Sequence, residues 1–232
     1  MKILIVIPSY NEEKNIRFVI KKLHEQCPHH DYIIVNDGSR DNTADICIIE
    51  QFDFLDLPIN LGLAAAVQLG MQYASKNEYE AVLQFDGDGQ HDAKYIDDMC
   101  QVMEEMNADI VIGSRFLIQT KPFTLRMVGS KLLQFLIRLV TGVNLTDPTS
   151  GMRLFRKELV EEFAWNLNYG PEPDTLVYLM RNGVKIIEIP VDMNERVNGE
   201  SYFNLTRSIR YMLHMCVSIL FIQWFRKKRS LK

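Results

Sequence analysis

Short apolar runs rich in β-branched residues alternate along this chain with longer segments of helical composition. The strand-like runs are Ile3–Ile7, Tyr32–Asn36, Ala81–Phe85, Asp109–Ile112 and Val184–Ile189. The helical segments are Glu12–Glu25, Asp41–Gln51, Leu63–Ser75 and Ala93–Met106. This alternation predicts an α/β protein whose mostly parallel sheet is covered by helices on both faces. Ligands of such sheets bind beyond the carboxyl ends of the strands, so the residues after each run are the first candidates for a functional site.

Length and composition fit one large domain, or one domain with a short appendage. The chain has 232 residues, of which 47% are apolar and 24% charged, ordinary values for a chain that buries a core. They exclude a disordered, collagenous or disulfide-scaffold protein, and a mean hydropathy of -0.09 excludes a polytopic membrane protein. The four cysteines are widely spaced and include no CxxC pair, which favours reduced thiols over a zinc site.

The charge is distributed unevenly between the body of the chain and its end. Arg196–Lys232 contains eight basic residues and one acidic residue, so its net charge is +7 and the remaining 195 residues carry -11. A basic end on an acidic body indicates an anionic partner, either a membrane or a nucleic acid. A solvated tail explains the charge equally well.

Two segments are candidates for targeting or membrane contact. The apolar start, Ile3–Ile7, is too short for a signal peptide and indicates a buried strand. Tyr211–Phe225 is apolar but shorter than the roughly 20 residues that span a bilayer, and Arg226–Arg229 follows it directly. We therefore expect a helix lying on the membrane, with Trp224 at headgroup depth and the basic residues on anionic lipid. A C-terminal helix docked on the core is the alternative.

Polar and acidic residues follow three of the strand-like runs. The segments are Pro8–Glu13, Asp37–Thr43 and Asp86–His91. Helix capping accounts for about half of these residues. It does not account for Asp86 and Asp88, two carboxylates that would repel each other unless a hard divalent cation lay between them. The chain contains no dinucleotide-binding glycine pattern, no P-loop and no GxSxG nucleophile motif, and the Asp86 segment departs from an EF-hand loop.

Seven motifs, taken in order, resemble those of the inverting GT-A glycosyltransferases of family 2. The motifs are PSYNEE, NDGSRDNT, NLGLAAA, QFDGDGQH, GSR, DPTSGMR and ERVNGES. Within this family the chain looks most like the dolichol- and polyprenyl-phosphate sugar synthases. The resemblance implies a GT-A catalytic domain over residues 1–203, with an acceptor-side amphipathic helix at about 123–141. Residues 204–232 would form a membrane-associating helix and a basic tail.

The resemblance also implies a role for individual residues. The donor nucleotide sugar would be bound by Pro8, Tyr10, Asn11, Glu12, Asp37, Ser39 and Asp86, and its diphosphate by Arg196 and Ser201 on a mobile loop. A Mg²⁺ or Mn²⁺ ion would be held by Asp86, Asp88 and Gln90. The acceptor phosphate would be bound by Arg115, Arg126 and Ser130. The catalytic set would be Arg115, Asp88 and Asp147, with Glu172 as a second candidate for the acidic residue at the reaction centre.

The segment Leu125–Thr141 adds a physical argument for a lipid acceptor. Taken as a helix, it places Arg126, Ser130, Gln134 and Arg138 on one polar stripe, and the rest is nearly all apolar. An apolar surface with a basic stripe suits a lipid phosphate at the membrane boundary. An amphipathic core helix with its polar side in water is the alternative.

These observations predict a metal-dependent enzyme at the cytoplasmic face of the cell membrane. It would move a sugar, with a UDP-sugar favoured as donor, onto undecaprenyl phosphate or a similar lipid phosphate. A small membrane subunit, or self-association through residues 208–225, would complete its membrane attachment. The alternatives are a polysaccharide-extending enzyme of the same family and a catalytically silent sugar-nucleotide-binding protein. Nucleic-acid binding is not expected, because the basic run adjoins an apolar helix rather than interleaved aromatic residues.

Overall fold

The computed structural model of the protein describes residues 1–118, 125–166, 170–193 and 205–222. Seven strands of this part form one sheet in the order β3-β2-β1-β4-β6-β5-β7. The strands are β1 Ile3–Ser9, β2 Asp31–Asn36, β3 Phe54–Asp56, β4 Ala81–Gln84, β5 Ile110–Ser114, β6 Arg153–Arg156 and β7 Ile186–Pro190. All neighbouring strands are parallel except β6, which is antiparallel to both β4 and β5. The expected α/β fold with a mostly parallel sheet is confirmed.

Helices cover both faces of this sheet. They are α1 Ile16–Gln26, α2 Thr43–Ile49, α3 Leu63–Lys76, α4 Ile96–Glu105, α5 Leu125–Thr141, α6 Lys157–Trp165, α7 Pro173–Arg181 and α8 Leu205–Val217. A 3₁₀ turn, Ala93–Tyr95, precedes α4, and a π-helical turn, Ser218–Ile222, follows α8. Helix α5 has the bounds that the apolar periodicity predicts.

The strands bury side chains on both sides, so two hydrophobic clusters form. All seven residues of β1 are buried, as expected for a central strand of a covered sheet. Val6 belongs to the cluster under α3, α5, α6 and α7, and its neighbour Ile5 belongs to the cluster under α1 and α4. Gly70 of α3 packs so closely on β1 that a Cβ atom there would come within 2.3 Å of Val6.

Helix α1 begins later than the sequence predicts. The expected start was Glu12, whereas the helix begins at Ile16. The backbone N–H groups of Glu12 and Glu13 instead donate to the side chains of Thr43 and Asp41. These bonds tie the loop after β1 to the start of α2, and the helix can begin only after them.

The C-terminal helix begins close to the start of the predicted membrane-associating segment, residues 204–232. Helix α8 begins at Leu205 and ends at Val217, and the π-helical turn extends the helical segment to Ile222. Helix α8 packs on α5 so closely that a Cβ atom on Gly129 would lie 2.6 Å from the terminal methyl of Met212. Among the described residues, no helix combines the length and apolar character that crossing a bilayer requires. Trp224 and the basic run that follows it lie outside the described residues.

Candidate functional site

The polar segments predicted to form the site converge at one edge of the sheet. The loops after β1, β2, β4 and β5 leave from the carboxyl ends of parallel strands, and these ends lie at the same edge. Strand β6 runs the other way, so the segment that precedes it, Asp147–Gly151, reaches this edge as well. The antiparallel strand is therefore what brings the DPTSGMR motif to the other motifs.

Asp86 lies at the centre of this edge and is held from several sides. Its Oδ1 accepts a hydrogen bond of 3.3 Å from Gln84 Nε2, and its Oδ2 lies 3.6 Å from Nε2 of the buried His91. Gly151 packs directly against the carboxylate, since a Cβ atom there would lie 1.8 Å from Asp86 Oδ2. Burial acts to raise the pKa of Asp86, but the hydrogen bonds from His91 and Gln84 and the charge of Arg153 outweigh it and lower the pKa.

The two aspartates after β4 fit a hard divalent cation. The Asp86 side chain remains 34% exposed, so one side of the carboxylate is open. Asp88 is half-buried, and its Oδ1 accepts the backbone N–H of Gln90 at 3.1 Å. Ionised carboxylate oxygens are the ligands that Mg²⁺ and Mn²⁺ prefer, and these two aspartates lie two residues apart in one loop. The lowered pKa of Asp86 keeps that carboxylate ionised, and the absence of a side chain at Gly151 leaves room for the carboxylate in this position.

Arg115 and Asp147 form a buried two-point ion pair beside these aspartates. Arg115 Nε donates to Asp147 Oδ2 at 2.5 Å, and Nη2 donates to Oδ1 at 2.7 Å. Asp147 is fully buried, whereas the Arg115 side chain is 30% exposed. Burial acts to lower the pKa of Arg115, but Asp147, together with the charges of Asp86 and Asp88, raises it. The guanidinium is therefore a fixed, permanently charged group that faces the acidic loop.

Glu188 of β7 holds the turn that carries Asp147. Its two carboxylate oxygens accept the backbone N–H groups of Thr146 and Asp147, at 2.7 and 2.8 Å. Burial raises the pKa of Glu188, and these hydrogen bonds only partly offset the rise. The turn is thereby fixed to the sheet, and Asp147 is fixed with it.

The side chain of Asp37, expected to contact the donor, binds a neighbouring loop. Its Oδ1 and Oδ2 accept the backbone N–H groups of Leu61 and Gly62, at 2.7 and 2.8 Å. Asp37 is almost fully buried, and its own backbone N–H donates to Ser9. Both carboxylate oxygens therefore fix the NLG motif, which directly precedes the start of α3.

The other predicted donor residues lie in the two loops that Asp37 joins. Asn11, in the left-handed conformation with a φ of 57°, donates its backbone N–H to Ser39 Oγ and accepts the N–H of Arg40 on its side chain. Tyr10 and Glu12 flank Asn11 and are half-buried, and Pro8 is buried in β1. The structure thus brings these residues together at one side of the Asp86 loop.

The predicted acceptor residues are described only in part. Arg115 lies beside Asp86 and Asp88, as described above. Ser130 is buried on the inner face of α5, and Gln134 on the same face donates to the carbonyl of Thr146 next to Asp147. Arg126 is in the first turn of α5, but its side chain lies outside the described part, as do Arg196 and Ser201 of the predicted closing loop. Of the predicted polar stripe, Gln134 therefore reaches the segment that carries Asp147, Ser130 is buried, and Arg138 is exposed.

Sequence analysis did not assign a role to Arg153, the last residue of the DPTSGMR motif. Its guanidinium is buried, with Nη2 donating to the carbonyl of Pro148 at 2.7 Å, and its Nε and Nη1 have no partner within the described part of the chain. Burial lowers its pKa, against the opposing effects of Glu172, Tyr211 and Asp86. The signal that could have identified it is an arginine directly before the apolar pair Leu154–Phe155 and at the end of a motif already predicted to lie at the site.

Glu172, the second acidic candidate, contacts the C-terminal helix. Its Oε2 accepts a hydrogen bond of 2.5 Å from the hydroxyl of Tyr211 in α8. Two residues later, the buried Asp174 accepts from Ser218 Oγ at 2.6 Å. These two bonds join the start of α7 to the segment expected at the membrane.

A comparison with known protein families identifies the family to which the chain belongs. The model of "Glycosyl transferase family 2" matches residues 4–164, more than two thirds of the chain. The chain belongs to glycosyl transferase family 2. The matched region contains the Asp86–Asp88 loop, Arg115 and Asp147, and it ends within α6.

Relatives within the family transfer sugars to lipid phosphates. The chain is 28% identical over 212 residues to polyprenol monophosphomannose synthase of Mycolicibacterium smegmatis, covering 85% of this chain and 79% of the relative. It is 29% identical over 218 residues to a UDP-N-acetylglucosamine–dolichyl-phosphate N-acetylglucosaminyltransferase of Methanococcus voltae, covering 82% and 84%. The predicted resemblance to family 2 and to its lipid-phosphate branch is confirmed.

A solved structure supports the fold. Glucosyl-3-phosphoglycerate synthase from Mycobacterium tuberculosis, crystallised with Mn²⁺, UDP-glucose and phosphoglyceric acid, superposes with a TM-score of 0.67. The match covers 94% of this family 2 chain and 79% of the synthase at 18% identity. It confirms a GT-A-like fold for the described sheet and its helices.

Proposed function

We propose that this family 2 glycosyltransferase moves a sugar from a nucleotide donor, with a UDP-sugar favoured, to a polyprenyl phosphate at the cytoplasmic face of the membrane. The observation that carries the proposal is the Arg115–Asp147 ion pair beside Asp86 and Asp88. A fixed cation next to the acidic loop provides a place for an anionic acceptor close to the donor diphosphate. The relatives, which act on polyprenyl or dolichyl phosphate, indicate which anion that is.

The donor side of the proposal rests on the acidic loop and on the loops that Asp37 joins. Asp86 and Asp88, with Gln90 beside them, would hold a Mg²⁺ or Mn²⁺ ion. When bound, such an ion neutralises the charge of the departing nucleoside diphosphate, so that no general acid is needed. Pro8, Tyr10, Asn11, Glu12 and Ser39 would surround the nucleotide, and Arg196 and Ser201 would close over the diphosphate.

The transfer itself requires positioning more than proton transfer. An oxygen of the lipid phosphate attacks C1 of the sugar, the bond from C1 to the diphosphate oxygen breaks, and its electron pair leaves with the nucleoside diphosphate. A phosphate oxygen is already nucleophilic at neutral pH, so a strong general base is unnecessary. Asp147 uses both oxygens on Arg115 and is fully buried, which suits a residue that holds the acceptor-binding arginine in place.

The acceptor side of the proposal rests on α5 and α8, which pack on each other. On α5, Leu132, Phe135 and Leu139 share one face and are 47%, 60% and 65% exposed. Exposed large apolar side chains also occur on the C-terminal segment, at Leu213 and Phe221. The opposite face of α5 carries the buried Ser130 and Gln134, which contacts the segment beside Asp147. A helix pair with apolar side chains outward and polar ones toward Arg115 suits a lipid whose phosphate enters the site from the membrane.

A transfer assay with labelled donors tests the proposal. The purified protein in detergent is mixed with undecaprenyl phosphate, Mn²⁺ and one of four labelled donors: UDP-glucose, UDP-N-acetylglucosamine, UDP-galactose or GDP-mannose. We expect label in the organic phase with one donor, and its loss with EDTA or in Asp88→Asn. Donor binding without any lipid product would contradict the acceptor assignment and favour a polysaccharide acceptor.

The proposed membrane attachment involves more than the apolar surface of α5 and α8. We expect a small membrane subunit, or self-association through residues 208–225, to add to the contact that α5 and α8 make. Expression of this chain alone, followed by membrane flotation, tests the expectation. A chain that floats completely with vesicles and is fully active without any other protein would contradict the need for a subunit.

A further inference from the structure

Two histidines and an aspartate meet outside the proposed active site. His29 and His30 lie in the connection between α1 and β2, and Asp97 lies in the first turn of α4. His29 Nε2 is 3.0 Å and His30 Nε2 is 2.9 Å from the same oxygen, Asp97 Oδ1. One ligand atom from each side chain lies within 4.8 Å of the other two. Two imidazole nitrogens thus meet one carboxylate oxygen.

We infer that His29, His30 and Asp97 form a second metal site, suited to a borderline ion such as Zn²⁺. Imidazole nitrogens with one carboxylate suit Zn²⁺ and its neighbours, whereas the oxygen-only set of Asp86 and Asp88 suits Mg²⁺ or Mn²⁺. Tetrahedral Zn²⁺ has bonds of about 2.0–2.1 Å, which places its ligand atoms about 3.3 Å apart. The two nitrogen–oxygen distances therefore have to open by only about 0.3–0.4 Å to admit the ion.

The exposure of the three side chains leaves room for the ion and for a fourth ligand. His29 and Asp97 are 57% and 55% exposed, so an ion can enter from water, and a water molecule can complete a tetrahedral set. The His30 side chain is only 9% exposed and is held in place by its surroundings. The site therefore has one fixed ligand and two that can adjust.

Nε2 is the atom that each ring would offer to the ion. Both His29 and His30 present Nε2 to Asp97 Oδ1. A histidine ring that carries its proton on Nδ1 leaves the Nε2 lone pair available to a metal. The ion would therefore be held through the same atoms that form these hydrogen bonds.

The position of the site suggests what a bound ion does. Asp97 belongs to α4, which follows the Asp86–His91 loop after a single 3₁₀ turn. An ion shared by Asp97 and the two histidines would fix the start of α4 to the α1–β2 connection. Zn²⁺ bound there acts as a structural brace for the helix that leaves the acidic loop.

Zn²⁺ binding to the full-length protein tests the inference. The protein is titrated with Zn²⁺ at pH 7.5 by calorimetry, in millimolar Mg²⁺ so that the oxygen-only site is occupied, and its Tm is recorded with and without Zn²⁺. We expect one equivalent bound and a higher Tm in its presence. His30→Ala and Asp97→Asn should each weaken binding at least tenfold and abolish the Tm rise. Co²⁺ substitution should give a visible absorption band that both variants lose.

Matched controls separate this site from other ligands on the surface. His24→Ala removes another exposed histidine of the same region, and Asp98→Asn removes the exposed carboxylate next to Asp97. Both should bind Zn²⁺ as the unchanged protein does. No Zn²⁺ binding by the unchanged protein, or binding that survives in His30→Ala and Asp97→Asn, overturns the inference. Equal weakening in His24→Ala also overturns it, because the histidines would then be acting nonspecifically.

Discussion

Replacing Asp147 by asparagine tests whether this buried carboxylate acts through Arg115 or directly on the reactants. The substitution keeps the shape of the side chain and removes its charge. Arg115 then loses two charge-assisted hydrogen bonds, those from Nε and Nη2. If Asp147 acts by positioning Arg115, Asp147→Asn should lower kcat/KM only because Arg115 is no longer held in place.

The magnitude follows from the burial of the pair. Removing one partner of a buried ion pair costs about 3–5 kcal/mol of stability. The Arg115 side chain is 30% exposed and can recover some hydration, so we expect a loss of about 2–3 kcal/mol in the free energy of unfolding. If the transition state loses a similar amount of stabilisation, kcat/KM falls by about 30- to 150-fold, because each factor of ten corresponds to about 1.4 kcal/mol.

A double-mutant cycle on kcat/KM for the lipid acceptor distinguishes the two roles. Asp147→Asn, Arg115→Gln and the double variant are compared, with Asp109→Asn as the control. Asp109 lies at the other end of β5, where it accepts the backbone N–H of Lys185, so its replacement should leave kcat/KM unchanged. We expect the double variant to be within about threefold of Arg115→Gln. Fully additive losses would refute the positioning role and indicate that Asp147 acts on its own.

Three further predictions concern the metal loop, the donor loop and the thiols. Gly151→Ala places a Cβ atom 1.8 Å from Asp86 Oδ2, so Mn²⁺ binding measured by EPR should weaken at least tenfold, and unchanged binding would contradict the packing described here. Asp37→Asn leaves one acceptor for two backbone N–H groups, so the KM for the donor should rise about tenfold with little change in kcat; an unchanged KM would contradict its role in fixing the loop. Burial raises the pKa of Cys27 to about 11 and that of Cys100 to about 12, so iodoacetamide at pH 8 should label neither thiol in the native protein. If the native protein is labelled as fast as the protein unfolded in guanidinium, the two thiols are not shielded as described.

The parts of the fold that sequence analysis predicted are those with strong local patterns. Ile3–Ile7 is a continuous apolar run, and Leu125–Thr141 has a clear helical period, so neither depends on distant contacts for recognition. Strand β6 was missed because its sequence, RLFR, places an arginine at each end of a short strand. Arg156 is accommodated only because the carbonyls of Met103 and Ala108, far away in the chain, accept its guanidinium hydrogen bonds.

The site was predictable as a set of residues but not as a geometry. Asp86 and Asp88 could be recognised because two carboxylates at the end of an apolar run need a common partner. The pairing of Arg115 with Asp147 depends on the antiparallel direction of β6, which no local pattern indicates. The same holds for the contact between Glu172 and Tyr211, which are 39 residues apart and meet only because α7 and α8 both pack on α5.

The acceptor assay measures the central claim most directly. One labelled donor that the protein uses is offered with undecaprenyl phosphate, with the same lipid alcohol lacking the phosphate, or with a water-soluble oligosaccharide. The account predicts Mn²⁺-dependent transfer to the lipid phosphate alone, and its loss in Arg115→Gln while nucleotide-sugar binding persists. Transfer to the oligosaccharide, or equal transfer to the lipid alcohol, would contradict an acceptor site built around Arg115 for a lipid phosphate.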